Sequence, residues 1–444
     1  MRSISANEVR RAEGGAEQGF IPGGARGPGG GATIGMKRVA VTGLGCISPV
    51  GNDVDSFWQS LINGRHGFGT LTQYDNSNMK AKVFAEVKNF NAEDYMSKGD
   101  IRKNDRHQIF AVAAAAEAVR DSGIEGNIDP ERLGVYIGSG IGGLNTMVNQ
   151  AEVMNAKGAD RVSPFLVTMM IVNMASALVA IKHNARGANL PIVSACATAT
   201  HSIGEAFRAI KHGYATAIIA GAAESSINPL GVGGFTSALA LSTATDPDNA
   251  CMPFDARRNG FIMGEGAGVL VLEEYEHAKA RGAKIYCEIS GYGNTCDAYH
   301  ITAPHPDAEG TAAMIKMAFA EAGLTPTEKL YINAHGTSTP LNDKAETKAI
   351  KKALGEDLAY KIPISSTKSM TGHLLGAAGG VEAIAAIKAL QTGIIPPTAG
   401  YKEPDPDCDL DYVPNTARKA NIEMAFSGSL GFGGHNAGIL FNKI

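Results

Sequence analysis

The sequence predicts a layered α/β protein, and three observations carry the prediction. Short apolar runs alternate along the chain with alanine-rich segments of helical period. Of 444 residues, 44% are hydrophobic and 19% are charged, enough for a substantial core in two or more domains or subdomains. Glycine is abundant, at 54 residues, which calls for many tight turns and close backbone approaches.

Residues 1–35 precede the first folding signal. Gly23-Gly-Ala-Arg-Gly-Pro-Gly-Gly-Gly31 buries too little surface to order itself. Three readings of this leader stand side by side: a transit peptide, an extension upstream of the functional start, or a flexible tail. Arg2, Arg10, Arg11 and Arg26 suit a transit peptide, whereas Glu8, Glu13 and Glu17 oppose one, and the apolar core of a secretory signal is missing. The expectation is a disordered leader with Met36 as the functional start.

Val39–Thr42 then reads as a strand and His107–Asp121 as a helix closed by Gly123. Gly134–Gly138, Ala217–Ala220 and Val269–Leu272 read as buried strands, and a helix closes at Ala278–Arg281 before Gly282. A second strand set begins near Ile285 and continues at Leu330–Asn333 and Pro363–Ser366. Helices are expected at Gly310–Ala322, Asp343–Leu354 and Ala377–Gln391. Met424–Phe441 reads as two strands around Gly431-Phe-Gly-Gly434. The pattern suggests two similar halves, residues 36–284 and 285–444. In each, a strand feeds a turn with a reactive residue and a helix follows, although no sequence repeat is clear.

Composition excludes several classes. A net charge of −4 gives no bulk attraction to nucleic acid or to an anionic membrane. Cys46, Cys196, Cys251, Cys287, Cys296 and Cys408 are scattered without a CxxC pair, which fits a reduced cytoplasmic compartment better than a disulfide scaffold or a zinc site. No apolar run reaches the roughly 18 residues of a membrane span.

Cys196 is the strongest pointer to chemistry. Pro191-Ile-Val-Ser-Ala-Cys196 is a short apolar run that ends abruptly in cysteine. A helical pattern follows, with Ala199, Ile203, Ala206, Phe207 and Ile210 on one face and Gly213 as C-cap. A strand-to-helix junction would place backbone N–H groups and the positive helix end beside the sulfur. That setting favours thiolate and can hold an oxyanion; a buried structural cysteine is the alternative.

His335, in Asn333-Ala-His-Gly-Thr337-Ser-Thr339-Pro, follows a strand directly, and Gly336 and Pro340 imply an exposed turn outside the core. His373, after Ser365-Ser-Thr-Lys368-Ser-Met-Thr-Gly, sits on a matching turn before a helix opened by small residues. Either histidine alone could be structural; two on matched turns, with a nucleophile on a third, form a constellation. Gly431-Phe432-Gly-Gly434 is either a hairpin bend or a backbone donor with a mobile aromatic. Gly260-Phe-Ile-Met-Gly264-Glu-Gly-Ala-Gly268 lacks the Gly-Lys-Ser/Thr ending of a phosphate loop and precedes a strand, so that reading is rejected.

Taken together, Ser194-Ala-Cys196-Ala-Thr, Asn333–Pro340, Ser366–His373 and Gly431-Phe-Gly-Gly-His-Asn436 resemble the beta-ketoacyl-acyl-carrier-protein synthases, specifically the synthase II type of bacterial fatty-acid synthesis. Pro229-Leu-Gly-Val-Gly-Gly-Phe235 and Asp297-Ala-Tyr-His-Ile-Thr-Ala-Pro304 add to the likeness, which runs from Met36 to the C-terminus. The resemblance implies a thiolase-like fold: duplicated βαβαβαββ halves in a five-layer αβαβα sandwich, usually a homodimer.

It also implies roles. Cys196 corresponds to the acyl-accepting nucleophile, His335 and His373 to the decarboxylating pair, Lys368 to the lysine beside them and Glu382 to its acidic partner. Phe432 corresponds to a gating aromatic whose N–H shares an oxyanion hole with that of Cys196. Thr337 and Thr339 match residues that bind the phosphopantetheine arm, Ile141 matches a residue bounding the acyl pocket, and Phe235 belongs to the substrate-binding set. The implied partners are acyl-carrying and malonyl-carrying acyl carrier protein, docked near Lys98, Arg102, Lys103 and Arg161. No metal or organic cofactor is implied. Leu430 and His435 depart from the Phe and Thr of many relatives, and Arg257-Arg-Asn259 from a more acidic run. Alternatives are a polyketide-type or organellar ketosynthase, a non-catalytic partner subunit, which Cys196 opposes, and a coenzyme-A-using thiolase or Cys-His-Asn synthase, which His373 opposes.

Overall fold

Nine strands of one sheet carry the molecule. They are β1 (Val39–Ile47), β2 (Leu133–Gly138), β3 (Ala217–Glu224), β4 (Gly266–Glu274), β5 (Cys287–Cys296), β6 (Leu330–Asn333), β7 (Ile364–Ser365), β8 (Met424–Gly431) and β9 (His435–Asn442). The structure is a computed structural model that describes residues 35–444, so the expected leader lies outside the described residues but for Gly35. The helices that matter most are α1 (Arg106–Ser122), α2 (Thr198–Lys211), α3 (Glu309–Ala322), α4 (Pro340–Leu354) and α5 (Ala378–Thr392).

Strand order is β2-β3-β4-β1-β5-β9-β8-β6-β7. The seam is narrow: β1 pairs with β4 along its length but with β5 only over Val39–Val41. Counted outward from this seam, each half reads first strand, last, next to last, second. In both, the second strand lies parallel to the next to last, β2 with β3 and β6 with β8. The outermost position of the second half is β7, parallel to β6. The first half puts residues 188–190 there: Val135 N–H donates to the Ala188 carbonyl (2.9 Å) and Leu190 N–H to that of Val135 (3.1 Å). Topology thus shows the duplication that the sequence only suggested.

Layering follows from which strands each helix covers. α2 and α5 touch strands of both halves and form the middle layer. α1 covers the far face of β1, β3 and β4, while α3, flanked by α4, covers β5 and β9. The result is the five-layer αβαβα sandwich of the thiolase-like fold. Glycines set the outer contacts. A Cβ on Gly43 or Gly45 would lie 2.1 or 1.9 Å from the carbonyl oxygens of Ala118 or Ala114 in α1. One on Gly291 or Gly293 would lie 1.9 Å from those of Ala318 or Met314 in α3. The first strand of each half therefore accepts its helix at backbone distance.

The helices start and stop where local chemistry dictates. Asp105 and Gln108 form a reciprocal cap on α1, and Gly123 ends it at φ 59°. α4 begins at Pro340, three residues before the expected Asp343, because proline suits the first helical turn. One expectation fails. Pro191–Ser194 is not a ladder strand; the chain leaves the sheet after Leu190 and enters a 3₁₀ turn at Ala195–Ala197. Among the described residues no strand flanks residues 188–190 on their far side, and Leu190 and Val193 are exposed.

Candidate active site

Three backbone devices converge on one cavity of about 330 Å³, whose walls include Cys196, Phe235, His335, Thr337, Thr339, His373 and Phe432. The first is the Ala195–Ala197 turn, in which Ala195 takes φ 51° and Cys196 stands at the entrance to α2. The second is the loop after β6 that carries His335. The third is the bend between β8 and β9, where Gly433 and Gly434 take φ 91° and 78° and turn Phe432 over the sulfur. The Phe432 backbone N–H faces the Cys196 sulfur and favours its ionised form. An oxyanion growing beside that sulfur would therefore meet this donor. Phe235 packs against Phe432, with ring centroids 6.3 Å apart.

The sulfur's electrostatics differ from the sequence expectation. Burial pushes the Cys196 thiol up to about 12, the Lys368 charge opposes this, and the Glu224 charge adds to it. Desolvation therefore outweighs the junction geometry that favoured thiolate.

His335 is at a strand end, as expected, yet it is buried rather than exposed. Its backbone N–H and that of Gly336 donate to the two oxygens of Glu346, at 2.6 and 2.7 Å. Lys368 is fully buried; its ammonium donates to the His335 carbonyl (2.7 Å), to His335 Nδ1 (3.2 Å) and to Glu382. An ammonium has only donors, so Nδ1 must accept and the ring hydrogen resides on Nε2. Burial, then the Lys368 charge, then His373 hold the His335 imidazole well below the ordinary range. Burial and Lys368 do the same to His373, whose ring stands 5.3 Å from that of His335 at 85°. Both rings are therefore neutral near pH 7. Thr337 and Thr339 hydroxyls lie 2.8 Å apart on the cavity wall.

Ile141 behaves differently. It is exposed on the Gly140–Gly143 loop and does not line this cavity. Lys98, Arg102, Lys103 and Arg161 are also exposed and outside it. Of the departures from family pattern, Leu430 lines the cavity, and His435 packs edge-on against His201 at 6.1 Å.

Three residues escaped the sequence reading. Phe261 stands edge-on to His373 at 5.0 Å, inside the glycine-rich run already rejected as a phosphate loop. Glu346 shares the buried face of α4 with Asp343 and Ile350, a polar interruption visible as i, i+3 spacing. Glu224 ends β3 fully buried, with no local sequence signal. Among the described residues, no cluster of His, Cys, Asp and Glu is placed to hold a metal ion, and no helix is long and apolar enough to cross a membrane.

Known proteins are similar in sequence and fold. The family model described as beta-ketoacyl synthase, N-terminal domain, matches residues 36–278, and that for the C-terminal domain matches residues 286–402. The 3-oxoacyl-[acyl-carrier-protein] synthase 2 of Synechocystis sp. is 50% identical over 414 residues, covering 93% of this chain and 99% of its own length. That of Staphylococcus aureus is 48% identical over 408 residues, covering 92% and 98%. A solved type II polyketide ketosynthase, in complex with its acyl-carrier protein, superposes with a TM-score of 0.84 at 35% identity, covering 92% of this chain and all of that one. Family models over most of the chain, and relatives about half identical over nearly their whole length, place the chain in the beta-ketoacyl synthase family.

Proposed function

We propose that the chain is a 3-oxoacyl-[acyl-carrier-protein] synthase, an acyltransferase that lengthens fatty acyl chains by two carbons. The convergence of Cys196, two neutral histidines and the Phe432 N–H on one cavity carries the reading. The Cys196 thiol gives up its proton as its sulfur attacks the carrier thioester; the new C–S bond forms, the carrier C–S bond breaks, and the carrier sulfur takes up that proton and leaves as a thiol. Malonyl thioester then enters and its C–CO2 bond breaks. The electron pair becomes an enolate whose oxygen is held by hydrogens on the two imidazoles. The enolate carbon attacks the Cys196 thioester, forming the C–C bond and returning the thiolate. Thr337 and Thr339 hold the phosphopantetheine arm, Phe235 packs behind the Phe432 gate, and Glu382 holds Lys368.

The elongating reading is favoured over a polyketide one because the synthase 2 relatives are about half identical while the polyketide ketosynthase is 35% identical. Incubation with acyl carrier protein loaded with a hexanoyl group, followed by peptide mass spectrometry, should place the acyl mass on Cys196. Cys196→Ala should carry none and form no condensation product. Acylation at Cys296, or condensation by Cys196→Ala, would sink the assignment.

Acyl carrier protein is the proposed partner, as in the ketosynthase complex of known structure. Lys98, Arg102, Lys103 and Arg161 form a candidate basic docking surface for that acidic protein. The expected assembly is a cytoplasmic homodimer. The first half's sheet edge leaves Leu190 and Val193 exposed, whereas the second half covers its edge: Ile364 N–H donates to the Asp411 carbonyl at 2.8 Å. An open apolar edge is a pairing surface, and a two-fold would close it. Ile141 would then bound the partner's acyl pocket. Ile141→Phe should shorten the longest chain accepted and spare butyryl-primed condensation. An equal loss at every chain length, read from product masses, would remove Ile141 from the pocket.

A further inference from the structure

Glu224 is a fully buried carboxylate with no cationic partner among the described residues. Four donors hold it instead. Oε1 accepts from the hydroxyls of Ser139 (3.0 Å) and Ser226 (2.9 Å), and Oε2 from the N–H groups of Gly140 (2.8 Å) and Gly376 (3.1 Å). Its charge works against Cys196, since it raises that thiol's pKa. A buried charge that opposes the chemistry is costly unless it holds something in place.

The duplication shows what it holds. Leu375–Ala377 is a 3₁₀ turn at the entrance to α5, with Leu375 at φ 49°; Ala195–Ala197 is the same turn at the entrance to α2, with Ala195 at φ 51°. Gly376 therefore stands where Cys196 stands in the other half. β3 and β8 are also equivalent, each of eight residues, so Glu224 at the end of β3 matches Gly431 at the end of β8, next to Phe432. The first half's turn and the second half's strand end line the cavity beside the sulfur. The second half's turn meets the first half's strand end instead, and its N–H is already occupied by the Glu224 carboxylate.

Close packing adds the third segment. A Cβ on Gly376 would lie 2.3 Å from the Gly140 nitrogen, and one on Gly140 would lie 3.4 Å from the Ala195 carbonyl oxygen. The Gly140–Gly143 loop, the turn that follows His373 and the turn that carries Cys196 thus meet at this carboxylate.

We propose that Glu224 is a positioning residue: a built-in anion that fills the second half's counterpart of the nucleophile turn and so clamps the His373 turn and the Gly140 loop against Cys196. This rests on Cys196 being the acyl acceptor. Glu224→Ala should fold but melt below wild type, because four buried donors lose their acceptor, and should lose kcat by on the order of 10²-fold through misplacement of the reacting groups, with KM for malonyl carrier protein changing little. Sodium formate should restore a good part of that kcat by refilling the four-donor site, and should leave wild type unaffected.

Wild-type kcat in Glu224→Ala would overturn the proposal, as would a folded variant whose lost kcat formate does not recover. If Glu224→Ala fails to fold, Glu224→Gln carries the test. Its amide oxygen can still accept from Gly140 and Gly376, but its NH2 then meets the Ser139 and Ser226 hydroxyls that donated to Oε1, and kcat should fall by about tenfold with an unchanged circular dichroism spectrum; unchanged kcat would overturn the proposal. Acyl mass on Cys196 in wild type, read in parallel, separates the two failures: its absence sinks the nucleophile reading, and its presence beside normal Glu224 variants sinks only the clamp.

Discussion

Replacing His335 or His373 with alanine leaves acyl transfer to Cys196 measurable and removes carbon dioxide release from malonyl carrier protein. The enolate formed by decarboxylation needs donors on its oxygen, and each preorganised donor of this kind is worth about 3 kcal/mol, on the order of 10²-fold in rate. Both imidazoles are held neutral by burial and by the Lys368 charge, so each offers an N–H instead of a positive charge. Their low pKa values fix the pH dependence. Neither ring changes charge above about pH 6.5, so radiolabelled carbon dioxide release in wild type should show no histidine step there; Glu346, pushed up to about 7 behind the His335 turn, is the group placed to bend the profile. A wild-type rate of release in either variant would contradict the assignment.

The second large effect concerns Lys368 and Glu382, an ion pair that is fully buried. Removing one member strands the other, at a cost of about 3–5 kcal/mol. Glu382→Leu leaves the Lys368 ammonium with only the His335 carbonyl and ring nitrogen as partners. Its denaturation midpoint should drop sharply. Lys368→Met should drop less, because burial already raises the Glu382 pKa and the stranded carboxyl can take up a proton. The double variant Lys368→Met/Glu382→Leu should recover most of the stability and none of the decarboxylation, because no donor then holds His335 Nδ1 as an acceptor. Recovery of both together would mean that the lysine acts through fold stability alone.

The architecture was legible because its periodicities are strong. The buried strands at Gly134–Gly138, Ala217–Ala220 and Val269–Leu272 appear within β2, β3 and β4, and the apolar face of α2 carries the five residues expected of it. The residues grouped around Cys196, His335 and His373 were legible because turn chemistry and reactive side chains coincide there. What escaped depends on the third dimension. The thiol's pKa is governed by how deeply the sulfur is buried, which no local pattern records. Val193 looks like a strand residue and is not one, because nothing among the described residues pairs beyond it. Glu224 and Glu346 resemble ordinary charges until the fold brings backbone N–H groups to them.

The sealed turn at Gly376 also bears on descent. An ancestor built from two equal halves could have carried a thiol on each turn, and the present molecule keeps one. The way back is closed: any side chain at Gly376 would begin 2.3 Å from the Gly140 nitrogen and 2.8 Å from Glu224. Restoring symmetry would require the Gly140 backbone to move as well as Glu224 and Gly376 to be replaced, because a side chain at 376 meets a main-chain nitrogen and losing Glu224 leaves four buried donors without an acceptor. Divergence of the two halves has become a ratchet, and selection on one nucleophile is now enforced by the packing of its silent twin.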